Sequence, residues 1–219
     1  LLKLKLMDAW ALPGGFLERH RDVDKEAIRI LKERTGLDKI FLQQFHLFGA
    51  VSRNSTDHVA SLLEKGVIDQ ALGSWFKQRF LTLGYYALVD FTEIRQMTPD
   101  PISEFCSFYT LNELPPLFLD HKEIIEKAHK TLKSALNYEP IGMNLLPAHF
   151  TMPELQGLYE TILEKKLDRR NFARRIKNYD IIKPAVLKKG DNQNKNPRLY
   201  EFDKEKYHAA LELGFHSGW

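Results

Sequence analysis

The residues best placed to do chemistry lie between Asp168 and Tyr179, where the chain reads Asp-Arg-Arg-Asn-Phe-Ala-Arg-Arg-Ile-Lys-Asn-Tyr. Phe172, Ile176 and Tyr179 recur at i, i+4 and i+7, the spacing of one helix face. Stepping about 100° per residue puts Arg170, Arg174 and Lys177 opposite them, with Asn171 and Asn178 on the flank. Guanidinium groups donate in bidentate fashion to guanine or phosphate, and asparagine amides donate and accept at base edges. This chemistry is binding, not bond-making, and it suits a helix lying in a major groove. The reading set is Arg169, Arg170, Asn171, Arg174, Arg175, Lys177 and Asn178.

The elements that must hold this face are legible on either side. Asp168 can cap the basic helix, and Thr151-Met152-Pro153-Glu154 fits a capping box that opens a preceding helix. That helix carries Leu155, Leu158, Tyr159 and Ile162 at i, i+3, i+4 and i+7, and Leu167-Asp168 makes a short link, so the pair predicts a helix-turn-helix. Downstream, Ile181-Ile182 and Leu199-Tyr200-Glu201-Phe202 can pair as a hairpin. Its loop carries Lys188, Lys189, Lys195 and Arg198, a wing whose charges would neutralise phosphates without reading sequence.

Charge is concentrated on the same stretch. From Lys165 to Arg198 there are twelve basic and three acidic residues, a surplus of nine, while the whole chain carries only +3. Such a block is the footprint expected for a polyanion partner; a solvated basic face without a partner has the same composition, and charge alone does not separate the two. The 219 residues, 43% hydrophobic, allow one large core or two modest ones. A single cysteine, Cys106, cannot form an internal disulfide, and no apolar run approaches the ~20 residues needed to span a bilayer. With no signal-like segment, a cytoplasmic protein without membrane contact is expected. The opening strand-like run, Leu1 to Leu6, lacks Met and a preceding partner, and residues before Leu1 are expected to be missing.

Towards the start, Asp22 can cap a helix reaching Thr35, with Val23, Ala27, Ile30 and Leu31 on one face and Gly36 as the stop. Strands are expected at Ile40 to Phe48, Phe80 to Phe91 and Phe105 to Tyr109, and a helix from His121 to Leu136. The stretch Asn54 to Gln78 is too long for a hairpin loop and has apolar groups of its own, so it reads as a partly helical insertion. Pro and Gly in Tyr138-Glu139-Pro140-Ile141-Gly142 mark a boundary. The expected division is residues 1–138 and 139–219. His46, His58, His121 and His129 have no metal-ligand spacing with one another or with Cys106, and Tyr85-Tyr86 are read as core packing rather than a stacking platform.

Leu12-Pro13-Gly14-Gly15-Phe16-Leu17-Glu18, the following helix and Glu33-Arg34-Thr35-Gly36-Leu37 together resemble the Nudix box. Phe108-Tyr109-Thr110-Leu111-Asn112-Glu113-Leu114-Pro115 and Asp120-His121 extend the likeness over residues 1 to 137. Phe150 to Phe202, with Leu167 to Phe172 and Glu139 to Pro147, resembles the C-terminal domain of Nudix-related transcriptional regulators. The resemblance implies a Nudix-like α/β/α sandwich with a mixed sheet, plus a C-terminal winged helix. It also implies a homodimer that binds a double-stranded operator and releases it when a sugar or ADP-ribose occupies the first domain. Against the Nudix pattern, the catalytic glutamate positions hold Arg21, Ile30, Glu33 and Arg34, so neither a metal site nor catalytic residues are expected, and no cofactor. Arg29 and Glu33 are the effector-binding candidates. A Nudix hydrolase acting on a nucleoside diphosphate derivative, and a module binding an acidic protein, are the rival readings.

Overall fold

The helix expected at Asp22–Gly36 forms as α1 (Val23–Thr35), and its ends follow local electrostatics. Asp24 and Glu26 occupy the first turn and Lys32 and Arg34 the last, each opposing the helix dipole. Gly36 adopts φ 73°, and its N–H closes the helix onto the Lys32 carbonyl at 2.8 Å. Asp22 stands at the N-cap position in extended conformation but makes no side-chain cap bond. In this computed structural model the described residues are 1–5, 8–36, 42–53, 56–89, 98–99, 103–137, 139, 141–143, 145–185 and 198–213.

The chain divides into two compact units, Leu1–Ala128 and His129–Trp219. In the first, β1 (Leu2–Leu4) pairs antiparallel with both β2 (Trp10–Ala11) and β5 (Ser103–Cys106). A second ladder joins β3 (Leu42–Phe48) to β4 (Thr82–Ala87), antiparallel, with a register shift between Gln44 and His46. A parallel bridge links Trp10 to Leu117. Between β3 and β4 the insertion folds as α2 (Thr56–Glu64) and α3 (Gln70–Phe76). Asp69 caps α3 by accepting from the Leu72 N–H at 2.7 Å, and Gly73 sits so close to Leu63 that a Cβ there would fall 2.8 Å from it.

Several strand expectations were too long. The run Phe105–Tyr109 contributes only its first two residues to β5, because pairing with β1 runs out at Leu2↔Cys106. Among the described residues the run Phe80–Phe91 forms a strand only over Thr82–Ala87 and the run Leu1–Leu6 only over Leu2–Leu4, while Leu6, Asp90 and Phe91 lie outside the described residues. Tyr85 and Tyr86 are half-buried rather than core, and the Tyr85 hydroxyl donates to Asp24 Oδ1 on α1 at 2.6 Å. Burial, with the Asp24 carboxylate, pushes that phenol up to about 12.

The helix α4 (His121–Ala135) contains the division between units. The second unit then runs β6 (Phe150–Thr151), α5 (Met152–Leu163), α6 (Arg169–Asn178), β7 (Ile182–Pro184), β8 (Leu199–Phe202) and α7 (Lys204–Leu213). Its sheet has the order β6-β8-β7, all antiparallel. Phe150, Leu155, Tyr159, Phe172, Ile176 and Ile181 are each at most 1% exposed and form its core. The Tyr159 and Phe172 rings meet edge-on at 5.4 Å between centroids, joining α5 to α6. Among the described residues no helix is long and apolar enough to cross a membrane.

Candidate nucleic-acid interface

In the second unit α5 and α6 begin where their capping residues dictate. Thr151 Oγ1 accepts from the Glu154 N–H at 3.3 Å, and Glu154 Oε2 accepts from the Thr151 N–H at 2.6 Å, a reciprocal capping box. These bonds to Thr151 hold the Glu154 carboxyl below its ordinary range. At the next helix, Asp168 Oδ1 accepts from the Asn171 N–H at 2.8 Å. With Phe172 and Ile176 both buried, and Phe172 against Tyr159 of α5, the phase of α6 is fixed.

That phase exposes Arg169, Arg170, Asn171, Arg174, Lys177 and Asn178, while Arg175 is half-buried. Arg174 Nη2 donates to Asn171 Oδ1 at 3.0 Å, and the Asn171 amide nitrogen is not used in that bond. Among the described residues no ion pair to an acidic group engages Arg169, Arg170, Arg174 or Lys177, so this cationic face has no internal counter-charge. The hairpin β7–β8 follows directly. There Lys183 pairs with Glu201 at 3.4 Å, which also lies 3.4 Å from His149 Nε2, and exposed Arg198 stands 5.7 Å from the Tyr200 ring centroid. Lys188, Lys189 and Lys195 lie outside the described residues.

A feature the sequence reading missed lies in the link between the helices. Glu160 Oε1 accepts from the Leu167 N–H at 2.9 Å and from Gln156 Nε2 at 3.0 Å, and Glu160 Oε2 accepts from Lys166 Nζ at 2.8 Å. Gln156 Nε2 also donates to the Leu167 carbonyl at 3.0 Å. A Gln and a Glu four apart on a helix read as an ordinary solvated pair; only the return of the chain at Leu167 reveals the clasp.

In the first unit, Arg29 and Glu33 are paired with each other, and Arg29 Nε also donates to Glu26 Oε1 at 2.8 Å. Hydrogen bonds donated to Glu26 and then to Glu33 raise the Arg29 guanidinium well above its ordinary value, and Arg29 in turn lowers Glu26. Glu26 is only 4% exposed, the one fully buried residue among those described on α1, and Arg21 Nε stands 3.7 Å from its second oxygen. Ile30 packs on the Gly-Gly turn so closely that a Cβ on Gly15 would lie 2.6 Å from its Cδ1. Beside this, Phe16 meets Trp75 at 4.6 Å and Trp75 meets Phe80 at 4.7 Å, edge-on, which ties the turn to the insertion. Elsewhere a cavity of about 440 Å³ is lined by His46, Phe48, Arg53, Asp120, Glu123 and Lys127, among others. Arg53 braces it by donating to the Phe48 carbonyl at 3.0 Å and to Asp120 Oδ1 at 3.1 Å. His121 accepts from the Leu12 N–H through Nδ1 at 2.9 Å, and burial lowers its basicity.

Residues 142–202 match the family described as the NrtR DNA-binding winged helix domain. The chain as a whole is similar to Nudix-related transcriptional regulators. Over 206 residues, 90% of this regulator and 71% of the relative, it is 29% identical to the ADPR responsive transcriptional repressor NtrR of Acinetobacter baylyi. It is also 28% identical over 117 residues to the ADP-ribose pyrophosphatase of Methanocaldococcus jannaschii, covering 53% of this chain and 55% of that one. The regulator has the fold of Shewanella oneidensis NrtR. The TM-score is 0.70 over 100% of this chain and 90% of the other, at 22% identity. Against the same protein complexed with a 27mer DNA it is 0.68, over 96% and 85%. The architecture is therefore a Nudix-like domain followed by a winged helix.

Proposed function

We propose that this regulator binds a palindromic DNA operator as a homodimer, reading bases with α6, and releases it when an ADP-ribose-like metabolite occupies the Nudix-like domain. The observation that carries the reading is the exposed face of Arg170, Asn171, Arg174 and Lys177, held opposite the buried Phe172–Ile176 seam. Arg169, Arg175 and Asn178 extend the contact, and Lys188, Lys189, Lys195 and Arg198 supply phosphate contacts from the wing. The functional domains are residues 1–138 and 139–219. A two-fold symmetric dimer is part of the proposal, because one winged helix covers a single half-site. The relative named as ADPR responsive makes ADP-ribose the effector to test first. Arg29 and Glu33 are its candidate contacts; their mutual ion pair means that an effector phosphate would have to compete with Glu33 for Arg29.

The likeness to a pyrophosphatase supplies a second reading, hydrolysis of ADP-ribose. The residues on α1 and its approach do not fit a divalent cation. Such a site needs several carboxylate oxygens free to ligate. Here Glu33 and Glu26 are engaged by Arg29, Ile30 is apolar, and the guanidinium groups of Arg21 and Arg34 would repel the ion. The regulator is accordingly proposed to be a sensor and not a hydrolase. The test is selection of bound fragments from the source genome by the purified protein. Recovery of a shared inverted repeat supports the reading, and recovery of fragments without a common sequence refutes it.

A further inference from the structure

We infer that Glu160 is a positioning residue for DNA recognition: its carboxylate, with Gln156, clasps Leu167 and so sets the angle at which α6 is presented to the groove. The inference rests on the DNA-binding reading above. The chain leaves α5 through Glu164 in the left-handed region, φ 53°, and the Lys165 N–H reaches back to the Glu160 carbonyl at 3.3 Å. Two residues later both backbone groups of Leu167 are held by side chains of α5, the N–H by Glu160 Oε1 at 2.9 Å and the carbonyl by Gln156 at 3.0 Å. Leu167 immediately precedes the Asp168 cap of α6. The clasp thus acts on the last joint before the reading face.

Tyr159 on Phe172 adds an apolar contact between α5 and α6, and burial of this kind is non-directional. It keeps the helices together while tolerating small changes of tilt. Hydrogen bonds to a backbone N–H and carbonyl are directional, and recognition needs its groups within about 0.5 Å and 10–20° of the productive pose. Glu160 remains ionised at any working pH, because bonds from Leu167, Lys166 and Gln156 hold its carboxyl down to about 2.

Charge makes the test decisive, because the two expectations have opposite signs. Glu160 is an acidic group beside a strongly basic segment, so its removal should on electrostatic grounds tighten binding to any DNA. Loss of positioning should weaken binding to the operator alone. The experiment compares full-length parent, Glu160→Ala, Glu160→Gln and Gln156→Ala on a selected operator and on an unrelated duplex of equal length, at one salt concentration. Glu160→Ala is expected to lose at least about tenfold on the operator while binding the unrelated duplex as well as the parent or better. Glu160→Gln keeps an amide oxygen that can accept from Leu167 and should recover most of the loss. Should Glu160→Ala melt too low to assay, Gln156→Ala tests the same joint, with a smaller loss of the same sign. A discriminating parent whose Glu160→Ala and Gln156→Ala variants keep its operator preference overturns the positioning role alone. A parent that fails to discriminate overturns the DNA reading and this role with it.

Discussion

Arg174 is the residue whose removal separates base reading from mere charge. It is exposed on α6 opposite Phe172 and Ile176, and its recorded partner is Asn171 Oδ1 at 3.0 Å, also exposed. Arg174→Ala therefore removes no core contact. Ala and Arg are both good helix formers, so stability should change by no more than about 0.5 kcal/mol. Loss of one bidentate base contact is worth roughly 1–3 kcal/mol, which is about five- to 140-fold in affinity. Loss of a phosphate contact would weaken all sequences alike and lower the salt slope by about one. Fluorescence anisotropy with a labelled operator, single-base variants of it and an unrelated duplex, each over a salt series, distinguishes these. The expected result is an operator-selective loss, relaxed preference at one base position and an unchanged melting temperature. Operator affinity within twofold of the parent, with base preference intact, would remove Arg174 from the reading face.

Other outcomes follow from the same contacts. Phe172→Ala deletes a fully buried ring between α5 and α6 and should cost about 3–5 kcal/mol in the second unit, seen as an earlier unfolding transition in denaturant with DNA binding lost. Because Glu160 is depressed from 4.5 to about 2, the stability it confers is present above about pH 4.5 and is lost as pH falls towards 2. Thermal melts over that window should fall more steeply for the parent than for Glu160→Gln, and parallel curves would contradict the clasp. Shortening residues 54–78 to a tight turn removes Trp75 and Phe76, two aromatic partners of Phe16, and should alter effector response or dimerisation more than folding, as read by release assays and light scattering. Incubation with ADP-ribose and Mg²⁺ should release no AMP, and robust turnover would restore the hydrolase reading.

What the sequence made legible was local. The Thr151–Glu154 box, the Asp168 cap and the cationic face of α6 each depend on residues three or four apart, where helix geometry fixes who meets whom. The strands of the first unit were overextended because apolar alternation marks what could pair, whereas Leu2↔Cys106 marks where pairing stops. β6, only two residues long, carries no periodicity, so the third strand of the winged-helix sheet could not be read. Nor could the burial of Glu26, a charged residue made tolerable by Arg29 one turn on, or the reach of Glu160 to Leu167 across the link. Both depend on where the chain returns in space, and spacing along the sequence does not encode that.

The central claim is that occupancy of the Nudix-like domain controls DNA binding. Its most direct test is titration of ADP-ribose into the full-length protein bound to a labelled, selected operator, without divalent metal. The account predicts saturable release with a midpoint that rises with the affinity of the operator used, since effector and DNA must weaken each other by the same factor. An operator complex unmoved by ADP-ribose at concentrations that demonstrably saturate the protein would contradict it.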